Sequence, residues 1–93
     1  MEFEWDEVKR QKVVETHGVD FLDAVLIFEN AVVTEVDERQ YYGEMRFESV
    51  GITDGVCFVV VHTERDGITR LITAWKGGKD DRTRYQESLS RRD

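Results

Sequence analysis

The 93 residues predict an α+β fold: two short helices, then a twisted antiparallel sheet, then a short C-terminal helix. Three observations lead there. Residues 1 to 30 hold two Asp-headed segments with helical spacing. Residues 31 to 75 hold four runs rich in β-branched residues, two of the gaps between them being Asp-Gly turns. After Trp75 the chain passes through two glycines into a charged stretch with helical composition.

Asp6 is the expected N-cap of a helix over Glu7 to Thr16, with an acidic residue in the first turn and His17-Gly18 as a C-terminal stop. Val8, Val13 and Val14, with Trp5 just before them, supply its expected buried stripe. A second helix begins at Asp20, with Asp23 completing an imperfect capping box, and continues through Phe21, Leu22, Val25, Leu26 and Phe28. The runs "AVVTEV", "EMRFESVGI", "VCFVVVHTE" and "ITRLITAW" then read as four strands. The turns "ITDG" and "ERDG" join the last three as an antiparallel meander, with the doubly apolar "VCFVVVHT" in its middle. Gly77-Gly78 reads as a flexible strand-to-helix joint, since the glycine spacing and Lys-Ser/Thr ending of a phosphate-binding loop are absent. The final helix is capped near Asp80 and anchored by Tyr85 and Leu89.

A chain this short builds one hydrophobic core, so one domain over residues 1 to 93 is expected, without linker or repeat. "MEFEWDEVK" lacks the basic start and apolar block of a secretory signal, and no apolar run is long enough to span a membrane, which predicts a cytoplasmic protein. The single cysteine, Cys57, lies in an apolar run and reads as a buried thiol. Two histidines and one cysteine without ligand spacing predict neither a metal site nor a cofactor. A net charge of −7 argues against nonspecific coating of nucleic acid, but the charge is uneven. Residues 1 to 60 carry 5 Lys/Arg against 14 Asp/Glu, whereas residues 61 to 93 carry 8 against 6. A polyanion site would draw mainly on the C-terminal third, and the acidic part suits a basic partner.

The blocks "FEWD", "HGVDFLDA", "DERQYYGEMRF" followed by "VG", "VVVHTER", and "RLITA" ahead of "RTRY" occur in an order and spacing that closely resemble the BrnT-type toxins. The resemblance covers residue 3 to about residue 87. It implies a RelE-like fold, a metal-independent endoribonuclease that arrests growth by cutting RNA, and neutralisation by a ribbon-helix-helix antitoxin of the BrnA kind. Operator DNA would be met only through that antitoxin.

RNA cleavage without a metal needs a group that takes the 2′-hydroxyl proton, cations around the crowded phosphate and an acid for the leaving oxygen. Arg46, Arg65 and Arg70 match basic positions of the family pattern, and a guanidinium fork suits a phosphate; a surface ion pair is the alternative for each. Simple alternation groups Ile68, Arg70, Ile72 and Ala74 on one face of the last strand and Thr69, Leu71, Thr73 and Trp75 on the other, so that Arg70 interrupts an apolar face. His62 is a candidate acid or base, with a hydrogen-bonded core histidine as the alternative. His17 reads as a helix-end residue, Trp5 as core or groove wall, and Tyr85 as packing for the last helix. Asp37 and Arg39 match "D-x-R"; they pair with each other or with Glu44 and Arg46, while Arg39 also stands as a substrate-binding candidate.

One position departs from the family pattern. Where an arginine usually follows the end of the last strand, this chain has Trp75, with Lys76 next and Lys79 beyond Gly77-Gly78. Lys76 or Lys79 would substitute as a point charge without bidentate geometry, or Trp75 would stack a base. Two readings follow: an active ribonuclease using Arg46, Arg70, Lys76 and His62, with Arg65, Arg39, Trp75 and Lys79 binding substrate; or a catalytically weak or inactive member retained as a protein-binding module and co-repressor. A small-ligand domain unrelated to RNA has no specific residue in its favour.

Overall fold

The computed structural model describes residues 1–39 and 43–91, so three residues of the "DERQYYGEMRF" block and the last two of the chain lie outside the described residues. Within it the fold is α+β, with three α-helices and a five-stranded open sheet. The elements run β1 (Glu2–Glu4), α1 (Glu7–His17), α2 (Phe21–Ala24), a 3-10 helix (Val25–Glu29), β2 (Val33–Val36), β3 (Phe47–Thr53), β4 (Val56–Arg65), β5 (Ile68–Lys76) and α3 (Lys79–Ser90).

The predicted meander is present: β3, β4 and β5 are consecutive antiparallel neighbours, with β4 central and almost wholly buried. Its two turns place Asp54-Gly55 and Asp66-Gly67 at positive φ, the conformation that Asp-Gly hairpins require. The expectation of a purely antiparallel sheet is corrected by β1, whose three residues pair parallel to Ile68–Arg70 and give the order β1-β5-β4-β3-β2. "EFE" is too short and too charged to announce a strand; it forms because β5 offers it an edge.

Asp6 caps α1 as expected, its Oδ1 accepting from the backbone N–H of Val8 at 2.8 Å and of Lys9 at 3.2 Å, and Gly18 ends the helix in the left-handed conformation. The valine stripe is narrower than predicted, since only Val13 is buried; Val8 and Val14 are exposed. Trp5 packs edge-on to Phe21 with centroids 5.9 Å apart. The second helix is one turn of α-helix, capped by Asp20, that tightens into the 3-10 segment, where Ile27 seats against Gly51 of β3. A Cβ at Gly51 would lie 2.8 Å from that of Ile27, so this close approach requires glycine.

Two apolar layers cover the sheet. One holds Val13, Val19, Phe21, Ala24 and Ile27 against Phe58, Val60, Leu71 and Ala74; the other holds Val50, Cys57 and Val59 against Tyr85 of α3. Tyr85 is buried as predicted, and its hydroxyl donates to the Ala31 carbonyl at 2.8 Å.

The joint before α3 is also corrected. Gly77 donates its N–H to the Cys57 carbonyl at 2.9 Å, and a Cβ there would lie 2.5 Å from Cys57 Sγ. That glycine serves close packing rather than flexibility. Gly78 is the N-cap of α3, and its N–H is held by Asp81 Oδ2 at 3.0 Å, so the cap falls ahead of Asp80.

Candidate active site

The arrangement of charges depends on a bulge in β5. Val61 pairs with Thr73 but His62 pairs with Leu71, so Ile72 is an extra residue. Residues paired across an antiparallel ladder share a face. Beyond the bulge the faces are therefore exchanged relative to simple alternation. Thr63 with Arg70, Val61 with Thr73, and Val59 with Trp75 lie on one face, while His62 with Leu71, Val60 with Ala74, and Phe58 with Lys76 lie on the other. The expectation that Arg70 shares a face with Ile72 and Ala74 is overturned: it shares one with Thr73 and Trp75. Leu71 and Ala74, three residues apart, both enter the core under α1 and α2.

Three of the sequence candidates converge. Arg46, Arg65 and Arg70 line one open cavity of about 260 Å³ together with Asp6, Lys9, Leu71 and Ile72. Arg46 comes from the residue before β3, Arg65 from the end of β4 and Arg70 from β5; the first turn of α1 completes the wall where β1 ends. Each arginine is also held by a carboxylate. Glu44 Oε1 lies 2.9 Å from Arg65 Nη2, Glu44 Oε2 lies 3.5 Å from Arg46 Nε, and Glu4 Oε2 lies 3.0 Å from Arg70 Nη1. The Arg65 hydrogen bond, outweighing partial desolvation, holds the Glu44 carboxyl below its ordinary pKa. Each of these side chains keeps part of its surface open to solvent, where ion pairs are generally weak.

Arg39 and Trp75 stand beside one another. Asp37, whose side chain is only 1% exposed, accepts both Arg39 Nε and Arg39 Nη2 at 2.8 Å. This pairing lowers the Asp37 pKa. The Arg39 guanidinium lies 5.7 Å from the Trp75 ring centroid, and the His17 ring 6.4 Å from Trp75. Of the two pairings open to Asp37, the one with Arg39 is realised, and the Asp37 N–H donates to the Arg46 carbonyl at 2.8 Å.

Lys76, Lys79 and His62 are not brought to the arginine cavity. Lys76 lines a different cavity of about 300 Å³ on the other face, with Gly18, Asp20, Asp23, Asp54 and Phe58. Lys79 is the exposed first residue of α3. His62 is 5% exposed and lies on the face of Leu71, between Phe28, at 5.3 Å edge-on, and Phe47, stacked at 5.8 Å. Its Nε2 shares a 2.8 Å hydrogen bond with Ser49 Oγ, which in turn bonds Thr34 Oγ1 at 2.7 Å. Burial pushes the imidazole below its ordinary pKa, with Glu64, 4.0 Å from Nδ1, opposing the shift.

Sequence reasoning missed Lys9, named Glu44 only as a possible partner in a structural network, and read Asp6 only as a cap. Helical periodicity cannot show that the first turn of α1 reaches the ends of β3 to β5. The adjacency of Glu44 to Arg46 in "GEMRF" is the one local signal for Glu44. Among the described residues no three His, Cys, Asp or Glu side chains are grouped to hold a metal ion, and no helix is long and apolar enough to cross a membrane.

No curated relative matches the chain. A family model described as the ribonuclease toxin BrnT of type II toxin-antitoxin systems matches residues 5–81, which include Asp6, Lys9, Arg46, Arg65, Arg70 and Trp75. The chain therefore belongs to the BrnT family of ribonuclease toxins, whose type II systems pair each toxin with an antitoxin.

Proposed function

We propose that this protein is an endoribonuclease that cleaves RNA without a metal and binds the RNA backbone in the cavity of Arg46, Arg65 and Arg70. The observation that carries the reading is the convergence of these three arginines, from just before β3, from the end of β4 and from β5, on one open cavity. Phosphoryl chemistry of this kind gains most from fixed cations around the charge that builds in the transition state. Trp75, on the same face as Arg70, is positioned to stack a neighbouring base, with Arg39 beside it. In this reading His62, on the opposite face, is a core residue, and Lys76 and Lys79 do not contact the scissile phosphate. The fold is of the RelE type, the antitoxin is a ribbon-helix-helix protein of the BrnA kind, and operator DNA is contacted through that antitoxin alone.

The test is incubation of the purified protein with fluorescein-labelled oligoribonucleotides in EDTA, beside Arg70→Ala, with growth after induction as the cellular readout. Cleavage and growth arrest by the wild type, both lost in Arg70→Ala while its thermal unfolding is unchanged, are expected. Cleavage that disappears with EDTA overturns the metal-free mechanism, and equal cleavage by Arg70→Ala overturns the cavity assignment.

A second reading, a catalytically silent antitoxin-binding module, is favoured by one specific observation: Glu44 and Glu4 neutralise all three arginines, and Trp75 stands where the family pattern has a cation. Soluble wild-type protein that neither cuts RNA nor slows growth, yet forms a stable complex with its antitoxin, would select it.

A further inference from the structure

A phosphate held by arginines still lacks proton transfer, and the groups that sequence reasoning offered for it, His62 and Lys76, point to the opposite face of the sheet. The cavity itself contains two further ionisable side chains, both from the first turn of α1: Asp6 and Lys9. They differ from the other charges there. Among the described residues Lys9 makes no ion pair, whereas Arg46, Arg65 and Arg70 are each bound to a glutamate. Asp6 spends one oxygen, Oδ1, on the N–H groups of Val8 and Lys9, and among the described residues Oδ2 accepts no hydrogen bond. The cap therefore fixes the carboxylate while leaving one oxygen for a substrate. Residues three apart on a helix lie on one side, so Asp6 and Lys9 flank the same space. Both are exposed.

We propose that Asp6 is the proton acceptor and Lys9 the proton donor of phosphodiester cleavage in this cavity; the proposal rests on the ribonuclease reading above. Asp6 takes the proton of the ribose 2′-hydroxyl as O2′ forms its bond to phosphorus. The P–O5′ bond breaks, and the departing 5′-oxygen takes a proton from the Lys9 ammonium group. The products are a 2′,3′-cyclic phosphate and a 5′-hydroxyl end. Asp6 then releases its proton to solvent and Lys9 regains one from it, so the cycle needs no other reactant. Arg46, Arg65 and Arg70 hold the non-bridging oxygens throughout. General acid and general base steps each contribute on the order of 10²–10⁴-fold, enough to separate a proton-transfer group from a mere contact.

Asp6→Asn is the discriminating variant, because asparagine caps a helix as well as aspartate does but cannot accept the proton. Single-turnover cleavage of a labelled oligoribonucleotide should fall at least about 10²-fold. Affinity for the uncleavable 2′-O-methyl oligomer and thermal unfolding should stay at wild-type values. Lys9→Arg keeps the charge but not an acid that can give up its proton, so it should retain binding and lose cleavage; Lys9→Ala should weaken both. Wild-type cleavage rates in Asp6→Asn overturn the acceptor, and wild-type rates in Lys9→Arg overturn the donor. If Arg70→Ala is inactive while Asp6→Asn and Lys9→Arg cleave normally, only this assignment falls. If the wild type leaves the RNA intact, both it and the ribonuclease reading fall.

Discussion

Replacing Gly77 by alanine should destabilise the protein, although no unusual backbone angle stands at that position. The added Cβ would lie 2.5 Å from Cys57 Sγ and 3.1 Å from Asp81 Cβ. Cys57 is 2% exposed and packed in the central strand among Val50, Val59 and Tyr85. Overpacking of this kind costs about 1–3 kcal/mol, while the stiffer unfolded chain of a Gly→Ala change returns roughly 0.4–1 kcal/mol. A net loss of about 1–2 kcal/mol corresponds to a Tm lower by roughly 5–15 °C in a domain of this size. Gly78→Ala is the control. No atom lies within 4 Å of its would-be Cβ, and its φ of −82° suits any residue, so its Tm should move little. Cys57→Ala removes the clashing sulfur, leaving the nearest Cys57 atom, Cβ, at an ordinary 3.5 Å. The double variant Gly77→Ala/Cys57→Ala should therefore be more stable than the sum of its single changes, with a coupling above about 0.5 kcal/mol. Thermal unfolding followed by circular dichroism measures all of these. Gly77→Ala melting within a degree of the wild type, or Gly78→Ala falling as far, would refute the packing account.

Two further predictions follow from buried polar groups. Burial disfavours the charged form of His62 in the folded state, so the unfolded chain binds more protons as pH falls below about 6.5 and His62 then removes stability. The lowered carboxyls of Asp20, Asp37 and Glu44 lose their contributions only nearer their ordinary values of 3.8 to 4.5. Urea midpoints at pH 7 and pH 5 should thus differ more for the wild type than for His62→Gln; equal differences would contradict the burial argument. Tyr85→Phe should cost about 1 kcal/mol by removing the bond to the Ala31 carbonyl, read as a lower urea midpoint with unchanged slope. An unchanged midpoint would show that the Tyr85 hydroxyl bond adds nothing measurable to the other contacts of α3, which include Arg84 with Glu35 and Glu48.

Local chemistry made much of the fold legible. Asp6 and Gly18 bracket α1, Asp54-Gly55 and Asp66-Gly67 mark the hairpins, and "VCFVVV" marks the central strand, because capping, positive φ and burial on both faces each restrict residue type. β1 was illegible, since its strand character comes from the edge of β5 rather than from its own residues. Gly77 was misread for a related reason: a close approach to Cys57, 20 residues away in sequence, leaves no local trace.

The sequence by itself determined the family and the α+β class, because block order and residue chemistry survive without coordinates. Tertiary structure alone decided which of the candidate charges share a site. One extra residue in β5, Ile72, exchanges the faces of everything after it, turning Trp75 toward Arg70 and Lys76 away. A strand has a period of two, so a single bulge reverses every later side chain, and nothing in the local pattern of "RLITAWK" reports it. The same packing brought Asp6 and Lys9 to Arg46, Arg65 and Arg70 from the far end of the chain, a juxtaposition that no spacing along the sequence encodes.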